Sequence, residues 1–124
     1  MEKSISHLQT AFEKLIKSPL VPFIDVKSLK KVTGVYMIYA ADQTLLYIGS
    51  TNNFHVRFGT DLRHESTHTL LRKLINDGTH IDRTTANLNF RQHYNYRIQI
   101  CVNKREAEAL EHMAIWLLNP KYNK

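Results

Sequence analysis

The chain has 124 residues, 43% of them hydrophobic and 23% charged, which is the composition of an ordinary soluble globule and the length of one domain. A chain of this length buries roughly two-thirds of its unfolded surface and needs no staple; its one cysteine, Cys101, excludes an intrachain disulfide framework and favours a reducing compartment, so a cytoplasmic location is expected. Seventeen basic against eleven acidic residues give a net charge of +6, which favours a polyanionic partner such as nucleic acid, while the lack of any apolar run near ~20 residues and of a signal-like start speaks against a membrane span or an exported chain.

In chain order, Leu8, Ala11, Phe12, Leu15 and Ile16 repeat at helical spacing, and Ser18-Pro19 ends that helix. Pro22 predicts an irregular stretch after it. Residues 34–40 (GVYMIYA) and 45–51 (LLYIGST) are short and β-rich, and they read as a hairpin turned at Ala41-Asp42-Gln43-Thr44. Asn52 or Asn53 can cap a helix running to about His64, with Phe54, Phe58 and Leu62 on its apolar face. A second helix is expected over Thr69–Asp77, stopped by Gly78. Residues 78–92 show no apolar pattern and read as a long surface loop. Tyr94, Tyr96, Ile98 and Ile100 alternate with polar residues as a strand. Asn103 caps the last helix, with Glu106 in a capping-box position, and Pro120 closes it. The expected fold is α+β: a small three-stranded antiparallel sheet flanked by helices, with residues 1–33 as a helical lead-in to a domain over 34–124.

One carboxylate is out of place. On the last helix Glu111 has Ala107, Leu110, Ala114, Ile115 and Leu118 as its surface neighbours, all apolar. A carboxylate in such a stripe needs compensation, either from a cation such as Arg57, Arg97 or a lysine, or from a bound metal ion.

These features combine into a resemblance. The hairpin carries Gly34-Val35-Tyr36 and Tyr47-Ile48-Gly49; Arg57 follows eight residues after Gly49; Glu111 stands on the last helix; and the chain ends Asn119-Pro120-Lys121-Tyr122-Asn123. Over residues 34–123 this resembles the GIY-YIG nuclease superfamily. The resemblance implies a three-stranded antiparallel sheet with helices, and a DNA endonuclease that hydrolyses phosphodiesters with one divalent ion, Mg²⁺ or Mn²⁺. It implies that Glu111 holds the metal, Arg57 stabilises the phosphate, Tyr36 contacts the attacking water, Tyr47 bonds the phosphate or water, and Asn123 braces the site. Gly49, Ser50, Arg63 and His68 are assigned to substrate binding. The two tyrosines, Arg57 and Glu111 are expected to converge on one concave surface.

Asp61, four residues past Arg57, departs from the pattern, since many relatives carry His or Tyr there. It either restrains Arg57, adds a metal ligand or acts as the base, while His64, on nearly the same helix face, is the candidate proton carrier. His64-Glu65-Ser66-Thr67-His68 also reads H-E-x-x-H, the zinc metallopeptidase pattern. Ser66, Thr67 and Thr69 are weak helix formers, and downstream only Glu106 or Glu111 stays open as a third ligand, so that motif is the lesser alternative. A non-cleaving nucleic-acid-binding module on the same fold is the nearer one. With no room for a separate DNA-binding domain, weak sequence preference or a homodimer is expected. Phe90, His93, Tyr94 and Tyr96 could stack on unpaired bases or could be core residues.

Overall fold

The computed structural model describes residues 2–29, 32–54 and 65–123. The elements in order are α1 (Glu2–Lys17), β1 (Val21–Pro22), α2 (Phe23–Lys27), β2 (Gly34–Tyr39), β3 (Leu45–Thr51), α3 (Glu65–Asn76), α4 (Arg83–Gln92), β4 (Asn95–Ile100) and α5 (Lys104–Leu118). The strands form one antiparallel sheet in the order β1-β4-β2-β3, so β3 is an outer strand. Among the described residues no helix is long and apolar enough to cross a membrane.

Strand alternation divides the core in two. On one face Tyr36, Ile38 and Tyr96 pack with Phe54 and with Leu70, Leu71 and Leu74 of α3 and Phe90 of α4. On the other, Val35, Met37 and Ile48 pack with Ala11 and Leu15 of α1 and Ala107, Leu110 and Ala114 of α5. A close approach fixes the start of β2. A Cβ on Gly34 would overlap the carbonyl oxygen of Gln99 on β4 and stand 3.0 Å from Cε2 of Phe54, so only glycine fits between those two groups. Cys101 is free and buried, and burial first, then Glu106, pushes its thiol up to about 12. It is an inert core thiol.

The hairpin, the first and last helices, and the Asn103 cap match expectation. Asn103 accepts from the Glu106 amide at 2.9 Å, and Asn119 ends α5 in the left-handed region at φ 45°. The structure differs in three places. The stretch at Pro22 is not irregular: Val21 and Pro22 pair with Tyr96 and Asn95, adding a fourth strand, and α2 follows at once. Proline is admissible there because β1 is an outer strand, where a missing amide breaks no inner ladder. The expected loop over 78–92 contains α4, capped by Asp82, whose carboxylate accepts from the Thr85 amide at 2.8 Å. Its buried residues are only Ala86 and Phe90, one turn apart, too few to show as a periodic pattern. Helix α3 begins at Glu65, earlier than Thr69, so Ser66 and Thr67 are helical after all, their low propensity overridden by the burial of Leu70, Leu71 and Leu74. The helix does stop before Gly78, which turns the chain at φ 82°. Apart from Phe54, the helix expected to end near His64 lies outside the described residues.

Candidate active site

The site is organised by outer strand β3. Tyr36 on β2 lies directly opposite Gly49 on β3, and the absence of a side chain at Gly49 makes room for its ring. A Cβ there would stand 2.5 Å from Cζ of Tyr36 and closer still to its hydroxyl oxygen. Tyr36 is fully buried and meets Phe54 edge-on, with ring centroids 6.2 Å apart. Tyr47, opposite Ile38, is half-buried. Of the two phenols, Tyr47 is the one open to solvent.

Glu111 projects from the middle of α5 and is half-buried. The Ser50 hydroxyl, next in the chain to Gly49, donates to Glu111 Oε1. Among the described residues that hydroxyl is the carboxylate's partner, and Arg97 is engaged elsewhere. Its guanidinium donates to the Tyr39 hydroxyl at 3.2 Å, to the Ser18 carbonyl, and lies 5.4 Å from the centre of the Tyr39 ring. The two contacts of Gly49 and Ser50 fall on opposite faces of the sheet, because neighbours along a strand alternate. The Tyr36 and Tyr47 side chains therefore lie on one face of the sheet and Glu111 on the other, flanking β3 rather than sharing one concave face. No group of three His, Cys, Asp or Glu side chains suited to a metal occurs among the described residues. A cation here would rest on Glu111 as its protein carboxylate, as the octahedral, water-rich habit of Mg²⁺ permits.

The chain after α5 returns along the outer side of β3 as a strap. The Tyr122 amide donates to the Leu46 carbonyl at 2.9 Å. Asn123 closes a two-way clamp: its Oδ1 accepts from the Ile48 amide at 2.7 Å and its Nδ2 donates to the Ile48 carbonyl at 2.9 Å. An amide side chain suits this clamp because it presents an acceptor and a donor on two atoms of one carbon. Asn123→Asp keeps the acceptor but sets an oxygen against the Ile48 carbonyl, and should cost about 1–3 kcal/mol in chemical denaturation. An unchanged denaturation midpoint would show that the clamp contributes nothing.

Tyr122 anchors the strap to α3. Its hydroxyl donates to Asp77, its carbonyl accepts from Lys73 Nζ at 2.9 Å, and Lys121 Nζ lies 5.3 Å from its ring centre. Lys73, Asn76, Asp77, Lys121 and Tyr122 line a shallow depression of about 390 Å³ beside the strap. Hydrogen bonds from Thr79 and then from Tyr122 hold the Asp77 carboxyl down, from 3.8 to about 2. A depressed native value means this contribution to stability is complete above pH 3.8 and is lost as pH falls towards 2. In Tyr122→Phe the Asp77 midpoint, followed by carboxyl NMR, should rise part of the way to 3.8, Thr79 retaining the rest. A midpoint left at about 2 would contradict the anchor.

The remaining expected residues divide by position. Arg57, Asp61, Arg63 and His64 lie outside the described residues, as does the side chain of His68, on α3. Phe90, Tyr94 and Tyr96 are buried in the core, so they are packing residues and offer no platform for unpaired bases; His93 is exposed. Tyr96 donates to the Phe90 carbonyl at 2.7 Å, and Tyr94 is paired with His80 at 2.6 Å. Sequence reasoning missed the bond between Ser50 and Glu111 and the Asp77–Tyr122 anchor. The one available signal for the first was that Glu111 required a partner.

The model of the GIY-YIG catalytic domain family matches residues 32–123. The chain belongs to that family. Over 97 residues it is 32% identical to UvrABC system protein C of Stenotrophomonas maltophilia strain R551-3, and 31% identical to that of strain K279a. In each case 77% of this chain is covered, but it spans only 13% of the relative's length. Among solved structures, the fold is similar to the GIY-YIG N-terminal endonuclease domain of UvrC from Thermotoga maritima, a structure bound to its catalytic divalent cation, magnesium. The TM-score is 0.54 with 22% identity, covering 82% of this chain and 93% of that one. Membership of the GIY-YIG family accounts for residues 32–123 without invoking His64-Glu65-x-x-His68, and the peptidase reading is set aside.

Proposed function

We propose that this protein is a metal-dependent endonuclease that hydrolyses phosphodiester bonds in DNA with low sequence specificity. The observation that carries the reading is Glu111, a half-buried carboxylate held by a serine hydroxyl and paired with no basic side chain among the described residues. A metal-binding carboxylate needs its orientation set by such an outer-shell partner. Its family membership and its likeness to a magnesium-bound UvrC domain support the same conclusion.

In this reading Glu111 holds Mg²⁺ or Mn²⁺, which supplies Lewis-acid charge neutralisation at the phosphate. Tyr47 donates its phenol to a phosphate oxygen or the attacking water. Tyr36, buried beneath Gly49, supports that group from the core, and the contact to the water expected of it falls to Tyr47. Arg57 offers a planar fork to the phosphate as negative charge builds, and His64 is the proton carrier. Asn123 holds Ile48, and with it the strand that bears Tyr47, Gly49 and Ser50. Arg63 and His68, with Lys73 and Lys121, contact the phosphate backbone. These groups address phosphates rather than base edges, which is why low specificity is expected. Residues 34–124 carry the chemistry and 1–33 form a lead-in; a cytoplasmic location suits the free Cys101 thiol, and a homodimer would enlarge the footprint on DNA.

The test is a cleavage panel on labelled single- and double-stranded DNA and RNA, with Mg²⁺ or Mn²⁺. Cutting of DNA by wild type and not by Glu111→Gln supports the nuclease. Retention of DNA without cutting in either metal would make the protein a binding module instead.

A further inference from the structure

We infer that Ser50 is the positioning residue for the Glu111 carboxylate, fixing Oε1 and leaving Oε2 as the oxygen available to a divalent cation. The inference rests on the nuclease reading and deepens it. The Ser50 hydroxyl donates to Oε1, while Oε2 has no bonded partner among the described residues. Glutamate has three rotatable side-chain bonds, and a half-buried one left loose would pay for each of them on binding a cation. A hydroxyl can set its direction without neutralising it; an ammonium or guanidinium in the same place would compete with the metal for the charge.

Ser50 is well placed to act as a fixed point. It sits opposite Val35 in the ladder. The residue before it, Gly49, is set against the Tyr36 ring, and Ile48 beyond that is clamped on both backbone groups by Asn123. The β3 backbone is thus held from the inner strand, from the core and from the strap, and the hydroxyl inherits that rigidity. Outer-shell partners of metal ligands typically change metal affinity by about 10–100-fold when removed.

The experiment measures Mn²⁺ binding to the intact protein without DNA, from the EPR signal of free Mn²⁺, for wild type, Ser50→Ala, Ser50→Thr and Glu111→Gln. Ser50→Ala should raise the Mn²⁺ Kd by about 10–100-fold. Ser50→Thr, which keeps the hydroxyl and suits a strand, should stay close to wild type. Glu111→Gln should abolish binding. In cleavage assays the metal concentration giving half-maximal rate should rise for Ser50→Ala by the same factor, with a smaller loss at saturating metal. Wild-type Mn²⁺ affinity in Ser50→Ala overturns the assignment, as do equal losses in Ser50→Ala and Ser50→Thr. If wild type cuts, Glu111→Gln does not, and Ser50→Ala keeps its metal dependence, the Ser50 role alone falls. A wild type that neither binds Mn²⁺ nor cuts overturns the nuclease reading and this inference together.

Discussion

Glu111→Gln is expected to lower metal-dependent DNA cleavage by about 10³-fold or more, while the fold and metal-free DNA binding persist. Glutamine has the same shape and can still accept from the Ser50 hydroxyl that Glu111 engages, so the local packing has no reason to change. What it loses is the negative charge, and with it the hold on a divalent cation. Metal ions contribute several kcal/mol of charge stabilisation in hydrolysis, and ~4 kcal/mol corresponds to about three orders of magnitude in rate. The control is thermal denaturation: the variant should melt at or above the wild-type temperature, since a half-buried carboxylate is exchanged for a neutral amide. Cleavage within tenfold of wild type would remove Glu111 from the mechanism.

Gly49→Ala should produce the largest loss of stability of any single methyl addition to β3. The new Cβ would stand 2.5 Å from Cζ of Tyr36 and nearer its hydroxyl oxygen. Tyr36 cannot retreat, because it is fully buried and packed edge-on against Phe54. Overpacking of this kind costs about 1–3 kcal/mol, and the rigid ring places this case towards the upper end. Adding Tyr36→Phe removes the hydroxyl but not Cζ, so the double variant should recover only part of the loss. Activity should fall as well, because the strand that shifts also carries Tyr47 and Ser50. A Gly49→Ala protein that melts with wild type would show that the ring has room the structure denies it.

Much of this architecture can be read from the residues, for identifiable reasons. The hairpin announces itself because Val35, Met37, Leu46 and Ile48 are buried strand formers bracketing a polar turn. Glu111 stands out because its helical neighbours are apolar. Helix α4 is hidden because it buries only Ala86 and Phe90 and is otherwise Thr, Asn, Arg and Gln with an exposed Leu88; its existence depends on the Asp82 cap and on a core supplied by other elements. Strand β1 is hidden because two residues carry no period, and Pro22 argues locally against the pairing that β4 imposes. The site shows the same division. The residue types at Tyr36, Tyr47, Glu111 and Asn123 are visible in the chain, but the bond from Ser50 to Glu111 joins residues 61 positions apart. Nothing local to either residue encodes that contact; the register of β3 against α5 creates it.

The strap along β3 has a consequence for assembly. An uncovered outer strand is a template on which a second chain can add its own, but here the Leu46 carbonyl and both backbone groups of Ile48 are already taken by Tyr122 and Asn123. Two copies could join their sheets along this side only by peeling Asn123 away from Ile48. Polymerisation through that border therefore requires loss of the Asn123 clamp, which leaves the opposite border at β1 and the helical faces as the surfaces open to association.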